Sequence, residues 1–215
     1  MLDVLLPALR VSLVTCALCG IAYPLAVTGL GQWLFPYQAN GSLEKAPDNT
    51  IIGSRLIGQG WNGDEWFHGR PSATSGTDPR DPTKTIISPY NAANSGASNL
   101  GPTSKALQDR LNAERGTLEE AQPELTGKLL PADMLTASAS GLDPDIAPAN
   151  ALLQVARVAR ARNVAPEQIA ELVNEHITPR SLRVFGEPRV NVLQLNLALE
   201  NAFPRNRSPR VQHGG

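Results

Sequence analysis

At 215 residues the chain has room for one domain of about 160 residues plus an appendage, large enough to fold without a disulfide or a metal. Its 19 basic and 20 acidic residues leave a formal charge of −1, which argues against nucleic-acid binding, where a basic field displaces phosphate counterions. Both cysteines, Cys16 and Cys19, lie in one apolar stretch, so the rest of the chain has no disulfide framework and no thiolate metal site.

No charged residue occurs from Val11 to Ser42. As a helix, Val11–Phe35 measures about 37 Å against roughly 30 Å of hydrocarbon, enough for one membrane span. A cleavable signal peptide would carry a shorter apolar region and a small-x-small site. This run instead ends in Gln32-Trp33-Leu34-Phe35-Pro36-Tyr37, an aromatic rim of the kind found at membrane interfaces. Thr15 and Leu18 fit poorly as residues preceding a lipid-modified cysteine, so Cys16 and Cys19 read as small apolar helix residues. Arg10 and the α-amino group precede the span, which biases the N-terminus toward the cytoplasm. Pro24, Gly20, Gly29 and Gly31 interrupt the span. Carbonyls freed near Pro24 are expected to meet neighbouring helices, and Gly20 and Gly29 to let a partner helix approach closely.

Beyond the span, Thr50 to Gln59 reads as one or two short strands bounded by glycine. Trp61, Trp66 and Phe67 follow, then turn residues as far as Gly101, a stretch long enough to be a functional surface. Pro102 is expected to open a helix with Leu107 and Leu111 on its apolar side. Pro148 opens a second helix, with Leu152, Val155, Ala156 and Ala159 on one face and Arg157, Arg160 and Arg162 on another, closed by Asn163. Pro166 opens a third, with Ile169, Leu172, Val173 and His176 at helical spacing. Val190–Leu193 reads as a strand running into a helix over Leu195–Glu200. From Pro204 the sequence reads as a disordered tail. The expected organisation is therefore a short cytoplasmic N-terminus (1–10), a transmembrane helix (11–35), an extracytoplasmic mixed α/β domain (40–203) and the tail (204–215).

The candidate catalytic constellations are weak. Gly127-Lys128 is followed by Leu129, which lacks the hydroxyl of a phosphate loop. Asp81-Pro82-Thr83-Lys84-Thr85 lacks the lysine and glycine of the phosphorylated Asp-Lys-Thr-Gly-Thr loop of P-type pumps. His68, His176 and His213 show no ligand spacing, so no metal site is expected. Ser138-Ala139-Ser140-Gly141-Leu142-Asp143-Pro144-Asp145 reads as a tight turn feeding the helix at Pro148. A membrane-anchored hydrolase using Ser138 or Ser140 is the rival reading, although no Gly-x-Ser-x-Gly elbow is present. An anchored solute-binding module is a second rival.

Several segments together resemble a known family. After the single span come Gly69-Arg70-Pro71-Ser72-Ala73, then Ser95-Gly96-Ala97-Ser98-Asn99-Leu100-Gly101-Pro102, then Ser138 to Pro144. Gln154-Val155-Ala156-Arg157-Val158-Ala159 and Gly186-Glu187-Pro188-Arg189-Val190-Asn191-Val192-Leu193-Gln194-Leu195-Asn196 complete the series. In this order they resemble the C subunits of bacterial Kdp potassium-transporting ATPases, over about residues 5 to 203. The resemblance implies a non-catalytic accessory subunit of an ATP-driven potassium importer in the inner membrane, with its domain periplasmic. It implies two partners, a potassium-channel-like subunit and a P-type ATPase subunit, besides the lipid bilayer. It further implies a role in assembly and as a catalytic chaperone that raises the ATPase subunit's affinity for ATP. No cofactor of its own is expected, since ATP is bound mainly by the partner. Within this resemblance Gln154 is the best match to a glutamine proposed to contact nucleotide. Ala147 stands where many members have serine, so a side-chain helix cap worth roughly 1 kcal/mol is expected to be missing.

Overall fold

The computed structural model describes residues 2–205, so the tail expected from Pro204 lies almost wholly outside the described residues. The chain forms two compact units, one ending at Ser54 and one beginning at Arg55.

The first unit is dominated by one apolar helix. It comprises α1 (Leu2–Ala17), a single π turn (Leu18–Ala22) and α2 (Tyr23–Leu34). Val4–Leu34 is 31 residues long and, among the described residues, is the one helix long and apolar enough to cross a membrane. The helix begins well before Val11 and includes Pro7 within its second turn. The π turn falls immediately before Pro24. There the Tyr23 N–H donates to the Leu18 carbonyl, five residues back instead of four. Proline has no N–H and its ring crowds the carbonyl four residues earlier, so the wider turn relieves that crowding within the helix itself. At the other end, Phe35 precedes Pro36 and is pushed out of helical geometry, to φ −135°. A short helix, α3 (Pro36–Ala39), leads into a hairpin of β1 (Leu43–Lys45) and β2 (Ile51–Ser54). Asn49, at φ 65°, makes its turn. Ile51–Ser54 is thus the one strand formed within Thr50–Gln59.

The second unit is the mixed α/β domain expected. Its core lies between α6 (Pro148–Arg162), α7 (Pro166–Glu175), α8 (Val192–Ala202) and a three-stranded antiparallel sheet. The sheet places β7 (Arg189–Asn191) between β5 (Asp145–Ile146) and β6 (Ile177–Thr178). Phe67, Val158, Ile169, Val173, Val190, Leu195 and Leu199 are its most deeply buried apolar residues. A smaller cluster joins Leu125, Leu130 and Met134 to Leu118 of α4 (Lys105–Ala121) and Leu135 of α5 (Ala132–Leu135).

Helix ends follow the sequence closely where punctuation is strong. α6 opens at Pro148, and Asn163 closes it in the left-handed region at φ 55°. Ala147 makes no side-chain cap, yet the helix start is not bare of charge. Asp133 Oδ2 accepts the Ala147 N–H at 2.7 Å and the Asn150 amide at 3.0 Å, placing a carboxylate at the positive end of the helix. α7 opens at Pro166 and buries Ile169, Leu172 and Val173. Asn191 caps α8, accepting the Gln194 N–H.

Four expectations are corrected. The helix placed at Pro102 begins at Lys105, with Pro102 in the preceding turn and Ser104 at the N-cap. The buried face of α6 is Ala151, Val155, Val158 and Ala159, while Leu152 is 42% exposed. Arg157 lies in the interior instead of on a solvated face, because the loop 61–68 folds over α6 and offers it carbonyls. The stretch read as turns up to Gly101 contains a hairpin, β3 (Ser75–Asp78) with β4 (Asp81–Ile87). Most of β4 is exposed, so it carries no apolar alternation to betray it.

Candidate functional site

The segments Gly69–Ala73, Ser95-Gly96, Tyr90 and Ser138–Pro144 meet beside the first turns of α6, all within the second unit. The Ser138–Pro144 turn is the hub. The Gly58 N–H donates to the Leu142 carbonyl at 2.8 Å and the Gly96 N–H to the Ser140 carbonyl at 2.9 Å. Ser72 Oγ donates to the Gly141 carbonyl at 2.7 Å and accepts the Tyr90 N–H at 2.9 Å. Arg70 and Asp143 form a half-buried ion pair at 2.9 Å, and Arg70 also reaches Thr136 and the Ala137 carbonyl.

Glycine is required twice here. Gly141 sits at φ +67°, where an added methyl would meet Thr74 and stand 2.7 Å from the Gly96 carbonyl. A methyl on Gly58 would stand 2.5 Å from the Asp143 carbonyl. Both are closer than a carbon can approach without backbone movement. Tyr90 itself adopts φ 58°, and its hydroxyl donates to the Arg70 carbonyl at 2.6 Å. Burial, reinforced by the charge of Asp143, pushes that phenol up to about 12.

Next to this junction lies a cleft of about 280 Å³, lined among others by Trp61, Arg70, Tyr90, Glu114, Gln122 and Gln154. Two buried polar atoms of its lining, Arg70 Nε and Gln122 Oε1, lack a protein partner.

Gln154 is 3% exposed. Its Oε1 accepts the His68 N–H at 2.8 Å and Arg157 Nη2 at 2.7 Å. Its Nε2 donates to the His68 carbonyl at 3.0 Å and to Asn150 Oδ1 at 2.8 Å. The amide therefore pairs with both backbone groups of His68 and ties the loop to α6. From α8, Asn196 does the same for Phe67, accepting its N–H and donating to its carbonyl, each at 2.9 Å. Sequence reading missed Asn196 and Arg157. The signal available was an Asn amid apolar residues in Leu193–Leu199, and an Arg three residues after Gln154.

The His68 ring stands against the Gly63 carbonyl at 2.9 Å, so Nε2 carries the proton. Burial first, then the charge of Arg157, holds its basicity below that of ordinary histidine. Arg157 donates to the Asp64 carbonyl and to Gln154. Arg162 donates to the Glu65 and Phe203 carbonyls and pairs with Glu200 at 2.7 Å, and it stacks with Arg205 against the Trp66 ring. Burial raises the Glu200 carboxyl, but the Arg162 hydrogen bond and the charges of Arg205 and Arg162 outweigh it and hold that group below the usual range.

Ser138 is buried, and its Oγ lies 3.4 Å from Ser140 Oγ, which accepts the Leu142 N–H. His176 instead faces the Leu172 carbonyl. Neither serine is thereby joined to a histidine, the pairing a hydrolase would use. Among the described residues no group of three His, Cys, Asp or Glu lies close enough to hold a metal ion. His213 falls outside the described residues. Gly20 and Gly29 lie on the apolar helix, where an added methyl meets only Cys16 Sγ at 3.9 Å in the first case and nothing within 4 Å in the second.

Residues 5–201 match the family described as K+-transporting ATPase, c chain. A Potassium-transporting ATPase KdpC subunit of Rhodopseudomonas palustris is 56% identical over 205 residues, covering 95% of this chain and all of the relative. The subunit of the same name from Bradyrhizobium diazoefficiens is 54% identical, covering 94% and 98%. That from Methylobacterium nodulans is 53% identical, covering 93% and 98%.

Proposed function

Because this chain belongs to the family of the K+-transporting ATPase c chain, we propose that it is a non-catalytic subunit of an ATP-driven potassium importer. The observation that carries the reading is the family match, which runs from the apolar helix to the end of α8. The helix Val4–Leu34 anchors the chain in the inner membrane, and Arg10 with the α-amino group sets the N-terminus in the cytoplasm. The domain is then periplasmic, alongside a potassium-channel-like subunit, and a P-type ATPase subunit binds and hydrolyses the ATP. Gly20 and Gly29 leave room for a partner helix against the span.

The chain supports assembly and acts as a catalytic chaperone, raising the ATPase subunit's affinity for ATP. We propose that this effect passes through the assembled complex and not through a nucleotide held by Gln154. Its amide already makes four hydrogen bonds inside the domain, and a nucleotide would have to replace them.

Reporter fusions test the topology. Alkaline phosphatase joined after Phe203 is expected to be active, and green fluorescent protein at the same point to be dark. The opposite pair of results places the domain in the cytoplasm.

A further inference from the structure

Between β6 and β7 the chain closes into a small hairpin with an apolar, strained tip. Ser181 and Phe185 exchange backbone hydrogen bonds of 2.9 Å in both directions. Arg180 pairs with Glu187 across the base. Between them Leu182 and Arg183 take φ of 52° and 62°. Left-handed geometry is unfavourable for an L residue with a side chain. Positive φ is normally left to Gly, or to Asn. What the turn presents is Leu182 at 85% exposure, Val184 at 69% and Phe185 at 66%. Around them Arg180 pairs with Glu187 and Arg189 with Asp145, so among the described residues Arg183 is the arginine of this loop left without an acidic partner.

Resting on the reading of this chain as one subunit of a membrane complex, we infer that the tip at residues 182–185 is an anchor that inserts into an apolar, acid-rimmed pocket on the extracytoplasmic surface of another subunit. Binding energy at interfaces concentrates in a few large apolar and arginine side chains seated in such pockets. The paired backbone bonds and the Arg180–Glu187 bridge fix the tip's shape before binding, which lowers the ordering cost on association. The strain separates a protein pocket from a lipid surface. A bilayer has no shape to match and gains nothing from two residues held in an unfavourable conformation, whereas a pocket selects for one geometry. The positive charge of Arg183, next to Leu182 at the tip, sets the sign of the rim.

The test uses the full-length chain co-expressed with the rest of its complex. A photo-crosslinking p-benzoylphenylalanine replaces Leu182, and the same probe replaces Leu129, which is 96% exposed outside the tip. The probe at 182 is expected to link to a subunit that co-purifies with the unmodified chain, at least tenfold more than the probe at 129. The double variant Leu182→Ser, Phe185→Ser is expected to lose at least tenfold of the retained subunits while its thermal unfolding stays unchanged, as suits exposed positions. Adducts from 182 to lipid alone would overturn the proposal in favour of a bilayer contact. So would undiminished retention of the double variant. If the unmodified chain retains no other subunit, the reading as a complex subunit fails first. If it retains them and the tip gives neither signal, only this inference falls.

Discussion

The Gln154 amide meets four partners, two of them the backbone groups of His68, and this makes it a structural tie whatever else it touches. Gln154→Ala strands the His68 N–H and carbonyl, and each buried group left unmet costs about 1–3 kcal/mol. The thermal midpoint of the chain is expected to fall by about 5 °C or more. In complexes that still assemble, the ATP KM is expected to stay within about twofold, because no charged-ligand hydrogen bond is removed. A tenfold rise in a fully assembled complex would place nucleotide at this residue. His68 gives a pH signature. Its basicity is depressed in the folded domain by burial and by Arg157, so the unfolded chain takes up the proton first. Stability is therefore fully present above about pH 6.5 and declines as pH falls below it. His68→Gln is expected to flatten that decline in urea titrations at pH 5 to 7; an unchanged slope would assign it to other groups. None of this was legible from the residue types alone. Arg157 was read only as sharing a helix face with Arg160 and Arg162, and the buried carbonyls that it and Gln154 serve come from a loop some 90 residues earlier in the chain.

At the scale of elements, legibility followed punctuation. Pro148, Asn163 and Pro166 marked helix limits correctly, because proline fixes φ at a helix start and Asn tolerates the left-handed stop. The hairpin Ser75–Ile87 was invisible because its longer strand is exposed and shows no alternation, and Pro102 misled because it belongs to the turn before Lys105. The Ser138–Pro144 turn was read as a turn, but not as the meeting point of the other motif segments, which only tertiary contacts reveal. Gly141→Ala tests that junction. It combines a positive φ with a clash against Thr74 and the Gly96 carbonyl, so a loss of about 2 kcal/mol or more is expected in denaturant unfolding. A change under 0.5 kcal/mol would mean the loops yield freely. On the span, Gly20→Leu with Gly29→Leu is expected to weaken co-purification of other subunits without impairing insertion, since leucine favours lipid. Undiminished co-purification would remove those glycines from any helix interface.

For the whole molecule, the apolar helix was plain from 32 uncharged residues, Val11 to Ser42, and the mixed α/β class from the elements after it. The function was not legible from chemistry, because the site brings together polar groups that mostly satisfy one another and leaves its serines without a histidine partner. The family was read instead from motif order, and the family match over residues 5–201 upholds that reading. The most direct measurement is therefore of the assembled enzyme. A tagged full-length chain, expressed with the other subunits of its complex and purified in mild detergent, is assayed for potassium-stimulated ATP hydrolysis, beside a preparation lacking the chain. Potassium-stimulated hydrolysis that co-purifies with the chain, and is lost or needs far more ATP without it, is the predicted result. A chain that purifies alone, with hydrolysis by the remaining subunits unchanged in its absence, would contradict it.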